Sequence, residues 1–339
     1  MGMNRRKAIA LIGGAAATAG LATRALSQNR KITVGALRFT SHSGSFIAFE
    51  RGYFAEAGLD VELKFFQAAQ PMAIAIASGS IDYAVTAVSG GLISLAQKGA
   101  VKVIGGALSE EPGIDGQKIL ASDAAFKAGL TSPKKLDGKI FGLSTAGSSF
   151  HYMGSKVAAA EGVSMKFKPL QKVGAIIGAL KSGQIDAWSI VPHIAKPLAK
   201  SGAAHIIGNI SDYLPNYQIT TVFTSANNAA EQKVMTGDFL AGFSKGVADY
   251  NATMIARTLG KDGVNDMVRL IHKYVYADRP LEKAAPSIIN GIMRLNEGAA
   301  LNVTSIQDQL TWFQSEALVD ADITMDTLVD TSYVKTIRA

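Results

Sequence analysis

The sequence predicts an α/β protein built from two similar lobes, each a mainly parallel sheet flanked by helices. Three observations carry this reading. The first is a duplicated phrase: Ala75-Ile76-Ala77-Ser78-Gly79-Ser80-Ile81-Asp82 returns as Ala179-Leu180-Lys181-Ser182-Gly183-Gln184-Ile185-Asp186, offset by 104 residues. The second is that apolar strand-like runs alternate with helical patterns from Lys31 to about residue 223, which is the signature of parallel sheets covered by helices. The third is size. Of 339 residues 48% are hydrophobic, ample for two cores.

The first 27 residues are expected to be an export signal rather than part of the fold. Asn4-Arg5-Arg6-Lys7 is a basic start, residues 8–22 are an apolar run, and Ala25-Leu26-Ser27 gives the small-x-small pattern of a cleavage site before Gln28. The apolar run is shorter than the roughly 20 residues a bilayer span requires. The pair Arg5-Arg6 fits a twin-arginine signal as well as an ordinary secretory one. The chain has no cysteine, which excludes disulfides, thiolate metal sites, a cysteine nucleophile and a lipidated cysteine anchor. The formal charge is +7, but Arg5, Arg6, Lys7 and Arg24 lie uncompensated in the signal, leaving +3 on the rest. No Lys/Arg run interleaved with aromatics occurs, so nucleic-acid binding has no footing.

The elements follow in order. Lys31-Ile32 opens a strand that runs into Thr40-Ser41-His42-Ser43-Gly44-Ser45, a helix follows, and Gly58-Leu59 precedes a second strand at residues 61–66. Gly58 suits a left-handed helix cap. The second copy reads the same way: Lys139-Ile140 opens a strand into Ser144-Thr145-Ala146-Gly147-Ser148-Ser149, then a helix, then Gly162-Val163 ahead of residues 165–170. Ser132-Pro133 is a helix start, with serine as cap and proline in the first turn. Beyond residue 223 the pattern turns helical, at residues 239–259, 264–274, 282–295 and 305–313. Thr304-Ser305-Ile306-Gln307 resembles a capping box for the last of these. This tail is expected to return to the first lobe, so that the chain crosses twice, near residues 119–122 and 220–224. The expected division is a signal at 1–27, a first lobe from 28–121 and 223–339, and a second lobe from 122–222. Two crossings make a hinge.

At Phe49-Glu50-Arg51-Gly52-Tyr53-Phe54-Ala55-Glu56-Ala57-Gly58-Leu59-Asp60-Val61-Glu62 the sequence resembles the nitrate/sulfonate/taurine group of ABC-transporter substrate-binding proteins, which shares its fold with thiamine-pyrimidine synthases. The resemblance continues through Ala77-Ser78-Gly79-Ser80-Ile81-Asp82, Leu136-Asp137-Gly138-Lys139 and the 180–187 stretch, and covers nearly the whole chain after the signal. It implies a type II-like periplasmic binding fold, an exported monomer in the periplasm, and no enzyme activity or cofactor. The implied partners are a small-molecule ligand, an ABC permease and its ATPase.

In open α/β sheets ligands sit beyond the carboxyl ends of strands. Four such loops are candidates: Arg38 with Ser41 and His42; Gln67 ahead of the Pro71 helix; the stretch ending at Ser89; and, across the cleft, Thr145, Gly147, Ser148 and Ser149. The last combines small residues, hydroxyls and a helix N-terminus, a combination suited to anions; a plain capping loop is the alternative, and its placement opposite the equivalent Ser41–Ser45 loop favours ligand contact. Arg38 has the planar fork that grips a carboxylate or sulfonate, and a strand-edge position facing water is the alternative. The resemblance implies that His193 faces ligand where taurine-type members present an acid, which argues against an amine-bearing substrate. Tyr217 is a candidate near the second crossing, and Phe66 and Phe150 are expected to pack an apolar part of the ligand. Asp82 and Asp186, one per copy, read as repeated structural acids rather than a catalytic pair. Gly242-Phe243-Ser244-Lys245-Gly246 matches the esterase pattern G-x-S-x-G but falls inside a helical run, where the strained elbow it needs is absent. The five histidines show no metal-ligand spacing. The expected ligand is a small organic anion, with a pyrimidine-type ligand or a synthase-like enzyme of the same fold as alternatives.

Overall fold

The computed structural model describes residues 29–339, so the expected signal and its cleavage point lie outside the described residues. The first pass of the chain gives β1 (Arg30–Ala36), α1 (Ser43–Glu50), α2 (Tyr53–Glu56), β2 (Leu59–Phe65), α3 (Ala69–Ala77), β3 (Tyr83–Ala87), α4 (Gly90–Gln97) and β4 (Val101–Ser109). The second gives β5 (Lys118–Ser122), α5 (Asp123–Lys127), β6 (Ile140–Leu143), α6 (Ser149–Glu161), β7 (Lys166–Pro169), α7 (Val173–Lys181), β8 (Ala187–Ile190), α8 (Pro192–Lys200) and β9 (Ala204–Asn209). The chain then returns through β10 (Gln218–Ser225) to α9 (Ala226–Glu231), α10 (Lys233–Tyr250), α11 (Gly260–His272), α12 (Leu281–Ile289) and α13 (Val303–Ser315).

Two five-stranded sheets result, ordered β2-β1-β3-β10-β4 and β7-β6-β8-β5-β9. The orders superimpose term by term. In each sheet the fourth strand is the one that has just crossed from the other lobe, and it runs antiparallel to its neighbours. The sheets change over between Ser109 and Lys118 and again between Asn209 and Gln218. Both changeovers precede the division expected at 121/122 and 222/223. The apolar runs read as crossings are β5 and β10 themselves, already paired in the sheet they enter.

The duplicated phrase has a repeated job. The Asp82 carboxylate accepts the Thr33 N–H at 2.7 Å, and the Asp186 carboxylate accepts the Ile140 N–H at 2.8 Å. Each acid thereby ties the turn before the third strand of its copy, β3 or β8, to the first strand of that copy, β1 or β6. Symmetry extends to the crossing strands: Ser122 caps α5 by accepting the Ala125 N–H, and Ser225 caps α9 by accepting the Asn228 N–H.

The tail covers the first lobe and also reaches the second. Helix α10 packs on α1, and a Cβ added at Gly246 would lie 2.3 Å from the Gly44 carbonyl oxygen. Gly242 likewise admits the Phe54 ring, with a Cβ there only 2.7 Å from it. The glycines of the G-x-S-x-G stretch therefore serve helix packing inside α10, and no strand-to-helix elbow presents Ser244. Phe54, Phe239 and Tyr83 stack in series beneath it, with centroids 5.4 and 4.2 Å apart. Truncating a buried ring of this kind to alanine costs about 3–5 kcal/mol. Helix α13 is capped by Asn302, whose side chain accepts the Ser305 N–H at 3.2 Å, so the helix starts two residues before the capping box expected at residues 304–307, and the Asn302 N–H goes to Gln218 Oε1 rather than into a box. The Ser132-Pro133 start yields only a single 3-10 turn.

Candidate functional site

Parallel strands of both sheets end at the interface between the lobes, and their loops enclose a cavity of about 60 Å³ there. The first lobe contributes Leu37, Phe39, Ser41, His42, Ala68, Ala69, Thr86 and Ala87 from the ends of β1, β2 and β3, with Ile219 and Thr220 from the start of β10. The second lobe contributes Ser144, Ser148, Ser149, Phe150, Val173, Ile190 and Val191. Gln117 enters from the first crossover.

The walls are apolar apart from hydroxyls, one amide and one imidazole, and no lining residue carries a formal charge at neutral pH. Among the lining groups the Ser148 hydroxyl, the Thr220 hydroxyl and the Gln117 side-chain nitrogen are buried without a hydrogen-bond partner. An unmet buried polar group costs about 1–3 kcal/mol, so three in one cavity form a set waiting for a complement. His42 is fully buried, and desolvation pulls it down to about 3. It is therefore neutral, and its Nδ1 accepts the Leu37 N–H at 3.4 Å, which leaves the proton on Nε2.

The Thr145–Ser149 loop is more self-contained than its composition suggests. The Gly147 N–H donates to His151 Nδ1 at 3.2 Å, and the Ser148 N–H donates to the Thr145 carbonyl at 3.1 Å. The helix-end donors left at this loop therefore begin at Ser149, the first residue of α6 and a lining residue of the cavity. Gly147 is left-handed, with φ of 71°, and its carbonyl accepts the Gly90 N–H at 2.9 Å. That bond joins the lobes, so this loop is part ligand wall and part clasp.

A second, outer groove of about 490 Å³ shares Leu37, Phe39 and Val173 with the cavity and holds Arg38, Gln67, Phe66 and His193. Arg38, Lys181 and Arg279 line it without an acidic residue. Arg38 is exposed. Its guanidinium lies 3.9 Å over the Phe65 ring and donates to the Tyr274 carbonyl at 3.2 Å. His193 is buried and held by desolvation at about 3. Thr40 donates its hydroxyl proton to the Gly291 carbonyl at 3.1 Å, so it accepts from His193 Nδ1–H at 3.0 Å. Tyr276 donates to the His193 carbonyl at 2.7 Å. His193 is thus fastened to the first lobe and its tail.

Of the sequence candidates, Ser41, His42, Ser148 and Ser149 meet in the cavity. Arg38, Gln67 and His193 line the outer groove. Ser89 caps α4 by accepting the Leu92 N–H at 3.2 Å, and Thr145 is half-buried outside the cavity lining, its carbonyl holding the Ser148 N–H. Tyr217 is buried against Tyr152, with centroids 5.1 Å apart, and its hydroxyl has no partner. Sequence reading missed Gln117, Thr220, Ser144, Val173 and the Ile190-Val191 pair. Thr220 and Gln117 stand at the starts of crossing strands, a position that strand-end reasoning does not search.

Among the described residues no cluster of metal-ligating side chains occurs, and no helix is long and apolar enough to cross a membrane. No curated protein matches the sequence. Solved structures do match the fold. The alkanesulfonate-binding protein SsuA from Xanthomonas axonopodis pv. citri, bound to MOPS, superimposes with a TM-score of 0.69 at 16% identity, covering 90% of this chain and 100% of that one. The periplasmic aliphatic sulphonate binding protein SsuA from Escherichia coli gives 0.66 at 15% identity, covering 91% and 94%. The periplasmic nitrate-binding protein NrtA from Synechocystis PCC 6803 gives 0.66 at 13% identity, covering 88% and 83%. The sequence profile of the NMT1/THI5-like family matches residues 39–253, which spans both lobes and both crossovers. The two-lobed periplasmic binding protein fold and that match agree: the chain belongs to the NMT1/THI5-like family.

Proposed function

We propose that this protein is the periplasmic solute-binding component of an ABC importer, and that it captures a small organic anion, a sulfonate or carboxylate, between its lobes. The supporting observation is the cavity at the lobe interface, closed over three buried polar groups without partners. We read capture as binding rather than catalysis because His42, the one imidazole lining the cavity, keeps its Nδ1 on the Leu37 N–H and has no free basic nitrogen to serve the serines beside it. The hydroxyls of Ser148 and Thr220, the neutral His42 and the first-turn amides of α6 supply donors to an oxyanion. Leu37, Phe150, Val173 and Ile190 pack its apolar body. Arg38, Lys181 and Arg279 raise the positive potential outside the cavity without touching its contents. The closed form is what a permease and its ATPase would receive, and the export signal expected at residues 1–27 fits that location.

A second reading is favoured by one observation, the absence of any charged lining residue: a neutral ring such as a pyrimidine would meet the same donors without the cost of burying a charge. A thermal-shift screen of residues 28–339 separates the two. Ligand at about 1,000 times its Kd adds roughly 4 kcal/mol, a rise of several degrees. Shifts confined to methanesulfonate, ethanesulfonate, acetate or benzoate, and lost in Ser148→Ala, support the anion reading. Shifts confined to neutral pyrimidines replace it, and no shift with either group counts against solute capture.

A further inference from the structure

The two crossovers are tied to each other by a reciprocal pair of bonds. The Glu110 N–H, just past β4, donates to the Tyr217 carbonyl, just ahead of β10, at 2.8 Å. The Ile210 N–H, just past β9, donates to the Gln117 carbonyl, just ahead of β5, at 2.9 Å. Gln117 and Tyr217 are therefore equivalent positions in the duplicated fold, and both carry a buried side-chain polar atom without a partner. They differ in surroundings: Gln117 lines the cavity between the lobes, while Tyr217 is buried against Tyr152.

Gln117 is 2% exposed, and both of its backbone polar groups are committed. Its carbonyl takes the Ile210 bond, and its N–H donates to Glu110 Oε1 at 2.9 Å. Glu110 is itself 2% exposed, folded under the crossover where Gly116 leaves room; a Cβ at Gly116 would sit 1.9 Å from Glu110 Oε2. With its main chain pinned on both sides, the Gln117 side chain has the cavity as its outlet. A primary amide nitrogen is a donor only.

We propose that Gln117 anchors the captured solute by donating its side-chain amide to an acceptor oxygen, and that Glu110 is the positioning residue that holds the Gln117 backbone for this. This rests on the solute-capture reading and deepens it. The captured head group is an acceptor-rich one carrying at most a single negative charge, because an amide and two hydroxyls meet it with no ammonium or guanidinium among the lining residues.

The test is isothermal titration of the purified 28–339 protein with ethanesulfonate, methanesulfonate, acetate and benzoate, beside melting curves without ligand. Gln117→Leu is expected to weaken the best of these at least tenfold, while its ligand-free Tm stays level or rises, since it removes an unmet donor. Gln117→Glu, which turns a donor toward an anion into a like charge, is expected to abolish anion binding. Glu110→Ala is expected to weaken binding, and Glu110→Gln, which keeps an acceptor for the Gln117 N–H, to restore most of what Glu110→Ala loses. Binding by Gln117→Leu within threefold of the parent overturns the anchor. So does a ligand-free Tm lowered by about 4 °C or more, because that shift marks a structural side chain. If the parent protein binds none of the four anions, the organic-anion reading fails on its own. The ligand-free Tm of Gln117→Leu then still decides whether Gln117 is structural.

Discussion

The most consequential single residue away from the cavity wall is Glu110. Burial raises its carboxyl from an ordinary 4.5 to about 7, against the opposing pull of the Gln117 N–H and of Lys118. Lys118 is itself engaged by Asp115 at 2.6 Å and by Asn209 at 2.8 Å, so it does not neutralise Glu110 outright. The folded state binds the Glu110 proton more tightly than the unfolded chain does. This residue therefore favours folding most below pH 4.5, and its contribution is lost as pH rises towards 7, a change on the order of 3 kcal/mol. His42 and His193 act in the opposite sense: held near 3 instead of 6.5, they favour folding increasingly as pH climbs between those values. A bare pH profile would mix the two. The expected outcome is therefore a difference: Glu110→Gln matches the parent near pH 4.5 and becomes more stable than it towards pH 8, measured by urea unfolding at each pH. An unchanging difference across that range would show that Glu110 does not titrate in it.

At the level of elements, the duplicated unit was readable because each of its parts has a local cause. Glycine caps, hydroxyl-rich turns and the Gly-x-Ile-Asp phrase mark where strands and helices begin, and Asp82 and Asp186 occupy matching bonds in the two sheets. The hydroxyl loops were readable for the same reason, which is why Ser41, His42, Ser148 and Ser149 were found together. The crossing strands were not. A short apolar run such as Lys118–Ser122 has the same pattern whether it bridges two sheets or sits within one, and only its partners β8 and β9 decide. Gln117 stayed hidden because an unpartnered donor is a tertiary fact. From its chemistry Arg38 could grip an anion or face water, and its position places it exposed over Phe65 in the outer groove. The tail held a further surprise, since the turn after α12 meets α8 of the second lobe. A Cβ at Gly291 would lie 2.1 Å from His193 Cβ and 2.6 Å from its Cα, and backbone cannot yield as a flexible side chain can. Gly291→Ala is therefore expected to leave each lobe folded but block their full approach. Small-angle scattering should report a larger radius of gyration than the parent, with ligand affinity down tenfold or more. An unchanged radius and affinity would mean the contact relaxes at little cost.

Over the whole molecule, two five-stranded sheets are joined by two short crossovers, and lobe separation is opposed by a few contacts outside the cavity. The Gly90 N–H bonds the Gly147 carbonyl, Thr40, Tyr276 and Gly291 hold His193, and Asp308 of α13 engages both Tyr152 and Lys156 of α6. The Lys156–Asp308 pair, at 2.8 Å, has its Asp308 side chain nearly half exposed and would contribute little alone. Tyr152 is different. It is buried, packs on Tyr217 and Trp312, and gives its hydroxyl proton to Asp308. Asp308 thus links the tail to the second lobe through one charge-assisted bond and one ion pair, and neither depends on a ligand. Such a latch sets the closed fraction of the free protein, and the apparent Kd equals the intrinsic Kd divided by that fraction. Asp308→Ala is expected to lower the closed fraction and weaken binding about three- to tenfold, equivalent to roughly 0.6–1.4 kcal/mol. The loss should appear mainly as faster dissociation in stopped-flow traces, because cavity contacts are untouched while the closed complex opens more readily. Asp308→Asn keeps an acceptor for Tyr152 and should recover part of the loss, and 1 M salt, which screens only the lysine pair, should reproduce little of it. Equal affinity in Asp308→Ala and the parent would mean that the crossovers and the cavity contents set closure without help from the tail.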